Sequence, residues 1–353
     1  MLRQAFTRRG ALSLAAGFVA TAVAAAGVLP ALAATQLTGA GSSFDYPLFS
    51  KAFYEYSQQH GDVTVNYQSI GSGGGIRQFT AKTVDFGASD VPLNQEELKR
   101  AEAAGGAVLQ IPIALGGVAV TYNVPGIGNG LRLSGTVIAD IYLGKIAKWN
   151  DAAIAKLNPS LKLPDTQIVV VHRSDGSGTS YIFTDYLSAV SREWKSKVGV
   201  GKSVQWPAQN SVGGKGNEGV SGQIGQTPGA IGYVELAYAL QNKMTYAQVG
   251  NRSGKFVYPT IETVRAAAAT KPAVNPNDFS IVDRPGASSY PIAGYSWVML
   301  FAKPADSARG KLVKAVLEWT ATEGQRIAQT LYYVPLPANV QQEAQRVLGQ
   351  MHV

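Results

Sequence analysis

The sequence predicts an α/β fold, and two patterns along the chain lead to this prediction. Short β-branched or alternating apolar segments, typical of strands, alternate with segments whose apolar residues recur at helical spacing, and this alternation predicts parallel sheets. Four strand-to-helix junctions are also rich in glycine and serine, at residues 39–44, 71–75, 173–180 and 213–219. Such a junction leaves the first N–H groups of a helix available to an anion.

A third observation concerns two apolar segments that are longer than the rest, at residues 111–122 and 289–302. The first contains the pair Gly116-Gly117 and is predicted to be one strand that crosses between two domains. The second is predicted to be another long crossing. The sequence shows no internal repeat and no disordered linker.

The N-terminus has the pattern of a signal peptide. Arg3, Arg8 and Arg9 precede an uncharged apolar run at residues 10–28, and the small residues at 30–33 (PALA) form an A-x-A cleavage site. We expect residues 1–33 to be removed and the remainder exported. The residues after Arg8-Arg9 fit the twin-arginine pattern poorly, which favours the ordinary secretory route. An uncleaved membrane anchor is the alternative.

Composition excludes several classes of protein. The chain of 353 residues has no cysteine, hence no disulfide framework and no lipidated cysteine, and must rely on a large core. Its net charge of +8 is scattered, without the basic and aromatic clusters of a nucleic-acid-binding protein. The three histidines, His60, His172 and His352, form no cluster that would hold a transition metal.

The elements follow from local patterns. The first half contains a helix at residues 49–56, a strand at 63–67, and a short strand at 84–89 that ends in Asp90. Asn94 with Glu97 three residues later predicts a capping box for a helix that continues to Ala104. The second half is predicted to contain a helix at 134–143, a helix beginning at Asp151, a strand at 167–171, a helix at 181–187, a strand at 230–234, and helices at 312–329 and 340–350.

The junction at residues 173–180 (RSDGSGTS) is the most informative of the four. It can offer helix N–H groups together with the hydroxyls of Ser177, Thr179 and Ser180. Arg173 can add a planar fork that holds two oxygens of an anion at once. The alternative interpretation is an ordinary N-capped helix after a glycine turn.

Known nucleotide and nucleophile motifs do not fit these junctions. Residues 71–75 (GSGGG) lack the Gly-Lys-Ser/Thr ending of a P-loop, and no junction has the glycine spacing of a dinucleotide fingerprint. Ser72 and Ser177 are outside any Gly-x-Ser-x-Gly motif, and the nearest possible base is His172. Because His172 and Arg173 are neighbours on a strand, their side chains point to opposite faces, and we expect His172 to serve packing.

Asp90 is unusual in an anion site because a carboxylate repels a fully ionised anion. It favours binding only if the ligand carries a proton to donate, as hydrogen phosphate does and sulfate does not. The alternative is a structural role, in which Asp90 caps a turn or pairs with Arg173.

Together these motifs resemble the periplasmic phosphate-binding proteins of high-affinity ABC phosphate transporters, the PstS family. The resemblance rests on GAGSSF at 39–44, GSGG at 71–74, DFGASD at 85–90, RSDGSGTS at 173–180 and GAIGYV at 229–234. It spans nearly the whole mature chain and implies a type II periplasmic-binding-protein fold, with two lobes and a two-strand hinge. The implied lobe I comprises residues 34–117 plus 291–353, and the implied lobe II comprises residues 118–290.

The resemblance also implies which residues bind phosphate, without a metal or a cofactor. The implied ligand-binding residues are Ser43, Phe44, Ser72, Asp90, Arg173, Ser177, Gly178 and Thr179. Asp90 would accept the phosphate proton and Arg173 would pair with the anion. Ser43 stands where the family pattern has threonine, and Gly73 stands where serine is common, which gives a looser loop.

The implied function is that of a monomeric periplasmic receptor that captures inorganic phosphate and delivers it to the membrane permease subunits of an ABC transporter. The resemblance implies no enzymatic reaction. The alternatives are a secreted phosphatase or phosphoesterase, which would need a nucleophile with a base or metal ligands, and a receptor for another oxyanion, which Asp90 argues against.

Overall fold

The computed structural model describes residues 34–353, so the predicted signal peptide at residues 1–33 lies outside the described residues. The strands are β1 (Thr35–Gly41), β2 (Val63–Ser69), β3 (Phe86–Ser89), β4 (Val108–Asn123), β5 (Arg132–Leu133), β6 (Val169–Arg173), β7 (Ser211–Gly214), β8 (Ala230–Glu235), β9 (Thr245–Tyr246), β10 (Gln248–Gly250), β11 (Phe256–Val257) and β12 (Ala293–Phe301). The helices are α1 (Tyr46–Gln59), α2 (Ser72–Thr80), α3 (Gln95–Gly105), α4 (Gly135–Tyr142), α5 (Ala152–Leu157), α6 (Gly178–Val190), α7 (Arg192–Lys197), α8 (Gly216–Gln226), α9 (Leu236–Gln241), α10 (Ile261–Ala269), α11 (Ser307–Ala321), α12 (Gln325–Ala328) and α13 (Ala338–Leu348), with a 3₁₀ turn at Gln329–Leu331. None of the helices formed by residues 34–353 combines the length and the apolar character needed to cross a membrane.

Most strands belong to one mixed sheet with the order β2-β1-β3-β12-β4-β8-β6-β7, in which β9 also pairs with β4. The pairs near the two ends of this order are parallel: β1 with β2 and β3, and β6 with β7 and β8. The central strands β12 and β4 run antiparallel to each other and to their outer neighbours. The prediction of parallel sheets is therefore wrong at the centre of the sheet. There the chain runs in one direction along β4 and returns in the opposite direction along β12.

Strand β4 joins the two halves of the sheet. Its 16 residues form one continuous strand, as predicted for residues 111–122. At Gly117 it is paired with Ala293 of β12, and from Val118 it is paired with Glu235 of β8. The partner thus changes within one step along the strand. The second predicted crossing forms a strand only from Ala293 onwards.

Capping side chains begin several helices where the sequence predicts them. Both hydrogen bonds of the capping box at α3 are present, between Asn94 and Glu97, at 2.9 and 3.0 Å. Ser134 accepts a hydrogen bond at the start of α4, and Asp151 does the same for α5. These side chains satisfy N–H groups that a helix cannot pair internally, which fixes where each helix starts.

The predicted single helix at residues 312–329 is wrong, because it is interrupted after Ala321. Thr322 leaves helical geometry with φ −121° and ψ −92°, and the chain re-enters a helix at Gln325. The buried side chain of Gln325 donates to the Ile113 carbonyl oxygen on β4 and accepts from the Leu336 N–H, at 3.2 and 2.8 Å. This buried amide connects the C-terminal segment to strand β4. A continuous helix would not place the Gln325 side chain where it can make both bonds.

Candidate functional site

The N-terminus of α6 lies against residues from the first third of the chain. Ser177 caps the helix and accepts a hydrogen bond from the Ser180 N–H at 3.0 Å. The Gly178 N–H donates to Ser72 Oγ at 2.9 Å, and Thr179 Oγ1 donates to Asp90 Oδ2 at 3.2 Å. These bonds bring residues that are far apart in sequence into direct contact across the sheet.

Ser43 and Phe44 lie in the turn between β1 and α1. Ser43 Oγ accepts hydrogen bonds from both the backbone N–H and the side-chain amide of Asn217, each at 3.0 Å. The Asn217 amide also donates to Thr179 Oγ1 at 3.4 Å, which links this turn to α6. The Phe44 N–H donates to Ser42 Oγ at 2.9 Å. Ser43 Oγ therefore keeps its own hydrogen available to donate.

Asp90 follows β3 and is 2% exposed. Its Oδ1 accepts hydrogen bonds from Ser42 Oγ and, at 3.0 Å, from Ser296 Oγ, in addition to the Thr179 bond to Oδ2. Burial raises the pKa of Asp90 above its ordinary value, and the three hydroxyl bonds and the positive charge of Arg173 oppose this rise. The three hydroxyl donors leave one lone pair of Oδ2 to accept a further hydrogen bond when the group is ionised.

Arg173 ends β6 and is 5% exposed. Its guanidinium pairs with the carboxylate of Asp175, not with that of Asp90, so the structural alternative of an Asp90–Arg173 pair is wrong. The backbone N–H of Arg173 donates to the Tyr233 hydroxyl at 3.2 Å, which is 2.6 Å from Ser180 Oγ. Arg173 Nη1 is buried and has no hydrogen-bond partner within residues 34–353. This nitrogen is a donor that a bound anion would satisfy.

Further contacts surround this cluster. The Gly73 N–H donates to the Gly176 carbonyl oxygen at 2.8 Å. Lys202 Nζ lies 2.5 and 2.6 Å from the two carboxylate oxygens of Glu97. Both side chains of this ion pair are largely shielded from solvent, at 16% and 12% exposure. The site is therefore enclosed by paired groups from both halves of the sheet.

The structure places five of the eight predicted residues, Ser43, Ser72, Asp90, Gly178 and Thr179, in this hydrogen-bonded network. Phe44 joins it through Ser42, Ser177 through its cap of α6, and Arg173 through Tyr233. His172 is not part of it, because its ring stacks on Trp206 with centroids 5.1 Å apart. The packing role predicted for His172 agrees with this contact.

Sequence reasoning missed several residues of the network: Ser42, Asp45, Asp175, Asn217 and Ser296. Four of these residues lie within or beside the glycine-rich junctions, and this position in the sequence could have indicated that they belong to the site: Ser42, Asp45, Asp175 and Asn217. Ser296 is a lone hydroxyl within an apolar strand, a pattern that indicates a buried hydrogen-bonding role. Among residues 34–353 no group of three or more His, Asp or Glu side chains is arranged to hold a metal ion.

A protein-family model described as a PBP superfamily domain matches residues 29–323 of this chain. The phosphate-binding protein PstS of Xylella fastidiosa (strain 9a5c) is 49% identical over 308 residues, covering 86% of this chain and 82% of that protein. The phosphate-binding protein PstS of Pasteurella multocida (strain Pm70) is 47% identical over 315 residues, covering 88% and 89%. This chain belongs to the PstS family of phosphate-binding proteins.

Solved structures agree with this family in fold. A high-affinity periplasmic phosphate-binding protein (PfluDING) bound with phosphate superposes with a TM-score of 0.73 at 21% identity, covering 88% of this chain and 93% of the other. A phosphate-binding protein from Stenotrophomonas maltophilia gives a TM-score of 0.69 at 22% identity, covering 89% and 94%. The PstS-family chain therefore has the two-lobe type II fold that the resemblance implies.

Proposed function

We propose that this protein captures inorganic phosphate as an exported receptor and delivers it to the membrane permease of an ABC transporter. The observation that carries the proposal is the composition of the enclosed network. Hydroxyl and amide donors and one arginine surround a single central acceptor, Asp90, which directly follows β3. This donor set suits a tetrahedral oxyanion, and the acceptor suits one that still carries a proton.

The proposed phosphate ligands are the eight residues of the predicted set: Ser43, Phe44, Ser72, Asp90, Arg173, Ser177, Gly178 and Thr179. Two of their N–H groups donate to protein hydroxyls: Phe44 to Ser42 and Gly178 to Ser72. On binding, these N–H groups exchange a serine oxygen for a phosphate oxygen. Arg173 Nη1 gains a partner without giving one up, which favours the bound state.

We further propose that the lobes comprise residues 34–117 plus 291–353 and residues 118–290, with a hinge in β4 and before β12. The change of partner in β4 between Gly117 and Val118 supports this division. Small-angle scattering tests it, because closure of two lobes around phosphate makes the protein more compact. Identical scattering with and without phosphate would contradict a hinge at these segments.

The chain is proposed to perform no reaction, to act in the periplasm and to be a monomer. Titration calorimetry of the mature protein with phosphate and with sulfate at pH 7 tests the function directly. We expect strong heat with phosphate and little with sulfate. Incubation with a chromogenic phosphate ester is the companion test, and turnover would support a phosphatase instead. Equal affinity for both anions would indicate a general oxyanion receptor.

A further inference from the structure

Ser296 Oγ lies between two buried carboxyl groups. It is 2.6 Å from Asp45 Oδ2 and 3.0 Å from Asp90 Oδ1, and all three side chains are 0–2% exposed. A serine hydroxyl has one hydrogen, so it can donate to only one of these two oxygens. If both carboxyls were ionised, the other oxygen would face a lone pair at hydrogen-bond distance. The arrangement is complete only when one of the two carboxyls carries a proton and donates to Ser296.

The surroundings of the two carboxyls differ. Asp90 has two further hydroxyl donors, Ser42 and Thr179, which favour its ionised form. Asp45 has only the contact with Ser296, and its Oδ1 is buried without a hydrogen-bond partner among the residues described. A buried carboxylate with an unpaired oxygen is costly, whereas the protonated acid avoids most of that cost.

The position of Asp45 in the chain strengthens this contrast. It is the N-cap residue of α1, where an aspartate normally accepts a hydrogen bond from the first turn of the helix. Here the side chain makes no such bond and extends towards Ser296 on β12 instead. The attraction of the helix dipole for an anion is smaller than the cost of burying an unpaired carboxylate, so the dipole does not keep Asp45 ionised.

We propose that Asp45 holds a proton and donates it through a hydrogen bond to Ser296, which in turn donates to Asp90. Asp45 is then a positioning residue that fixes the direction of this chain of hydrogen bonds, so that Asp90 stays an ionised acceptor facing the ligand. In the reverse arrangement Asp90 would be protonated and would present a donor, which suits a fully ionised oxyanion such as sulfate. The role in ligand selection rests on the proposed function, whereas the location of the proton does not.

The charged and titratable groups around the pair agree with this direction. Burial raises the pKa of Asp45 well above its usual value, the charge of Asp90 raises it further, and the Ser296 bond lowers it. Burial also raises the pKa of Asp90, but the hydrogen bonds from Ser42 and Ser296 and the charge of Arg173 oppose that rise. The other groups that face the pair are Glu235, Tyr67 and Tyr333, which carry no positive charge. Arg173 is therefore the one cation that acts on the pair among the residues described, and it favours the ionised form of Asp90.

Infrared difference spectroscopy on the mature protein tests where the proton is. Spectra of wild type minus Asp45→Asn and of wild type minus Asp90→Asn are recorded at pH 7, each with and without inorganic phosphate. We expect the carbonyl band of a protonated carboxylic acid in the spectrum of wild type minus Asp45→Asn. We expect no such band in the spectrum of wild type minus Asp90→Asn. A band in the Asp90 difference, or in neither, would overturn the proposal. A wild type that binds no phosphate would refute the proposed function yet leave this band assignment intact.

Ser296→Ala tests the link between the two carboxyls. Loss of a hydrogen bond to an ionised group raises the pKa of Asp90, so more of it is protonated at pH 5 and can donate to sulfate. We expect phosphate affinity to fall about tenfold and the ratio of sulfate to phosphate affinity to rise about tenfold at pH 5. Ser188→Ala is the matched control, because this buried hydroxyl has no partner among residues 34–353. If the ratio of sulfate to phosphate affinity is the same in Ser296→Ala as in Ser188→Ala, the proposed chain of hydrogen bonds from Asp45 through Ser296 to Asp90 is contradicted.

Discussion

Arg173 and Asp175 form a two-point ion pair in which Nε and Nη2 donate to the two carboxylate oxygens at 2.8 and 2.6 Å. Asp175 Oδ1 also accepts from the Gly216 N–H at 3.1 Å, so the carboxylate is itself held in place. The pair uses two of the three guanidinium nitrogens and fixes the plane of the group. The third nitrogen, Nη1, is thereby left to a ligand in a preset direction.

Arg173→Lys is expected to weaken phosphate binding at least tenfold, as measured by titration calorimetry. Lysine keeps the charge but cannot bond Asp175 and phosphate through one rigid plane, a loss of about 1.5–3 kcal/mol. Arg309→Lys is the matched control, because Arg309 makes the same kind of two-point pair with Asp85 away from the site. Wild-type affinity in Arg173→Lys would show that Arg173 has a structural role only.

Asp90→Asn is expected to change selectivity more than phosphate affinity. The amide can donate or accept, so phosphate binding is expected to weaken only modestly, while sulfate is no longer repelled by a carboxylate. Calorimetry with sulfate is therefore expected to show a gain only in the variant. Arsenate, which carries a similar proton, is expected to compete with phosphate in both proteins. Tight sulfate binding by the wild type at neutral pH would show that Asp90 does not distinguish protonated ligands.

The eight expected site residues came from the resemblance of the motifs to a known family, and all of them except Asp90 lie at strand-to-helix junctions whose glycines and hydroxyls are visible in the sequence. The parts that were missed depend on long-range contacts. Ser296 meets Asp90 because β12 and β3 are neighbours, which no local pattern indicates. The antiparallel pairing of β4 and β12 was missed for the same reason, because the direction of β12 depends on a long-range return of the chain that no local pattern indicates. The helix that begins after this break carries the buried Gln325, two of whose hydrogen-bond partners, Ile113 and Leu336, are more than ten residues away from it.

Gly178→Ala is expected to abolish tight phosphate binding, with at least a hundredfold loss of affinity. A Cβ on Gly178 would lie 2.5 Å from Asp90 Cβ and 2.6 Å from the Asp90 backbone nitrogen, distances that real Cβ contacts do not reach. The two halves of the site could not then approach as they do here. Small-angle scattering of this variant is expected to be the same with and without phosphate.

Gly222→Ala provides the control for this substitution. Gly222 lies in α8, and a Cβ there would have no atom within 4 Å. Alanine in a helix interior is favoured over glycine by about 0.8–1 kcal/mol, so this variant is expected to be slightly more stable with unchanged affinity. Phosphate binding in Gly178→Ala as tight as in Gly222→Ala would mean that the close approach to Asp90 is not needed.

Asp45 is expected to make the stability of the phosphate-free protein depend on pH. Because burial raises its pKa in the folded state well above the usual 3.8, the folded protein holds a proton that the unfolded chain releases above that value. Its contribution to the free energy of unfolding is thus greatest below about pH 4 and declines as pH rises towards the folded pKa. Asp45→Asn removes this dependence.

Thermal unfolding in phosphate-free buffer checks this expectation. The melting temperature of Asp45→Asn is expected to exceed that of the wild type by several degrees at pH 8, with the difference closing as pH falls to 4. Asp62→Asn removes the same charge from an exposed position, and its difference from wild type is expected to show no such trend. If the Asp45→Asn difference is the same at pH 4 and pH 8, Asp45 is not held protonated in the folded protein, and the direction of the hydrogen bonds through Ser296 must be reversed.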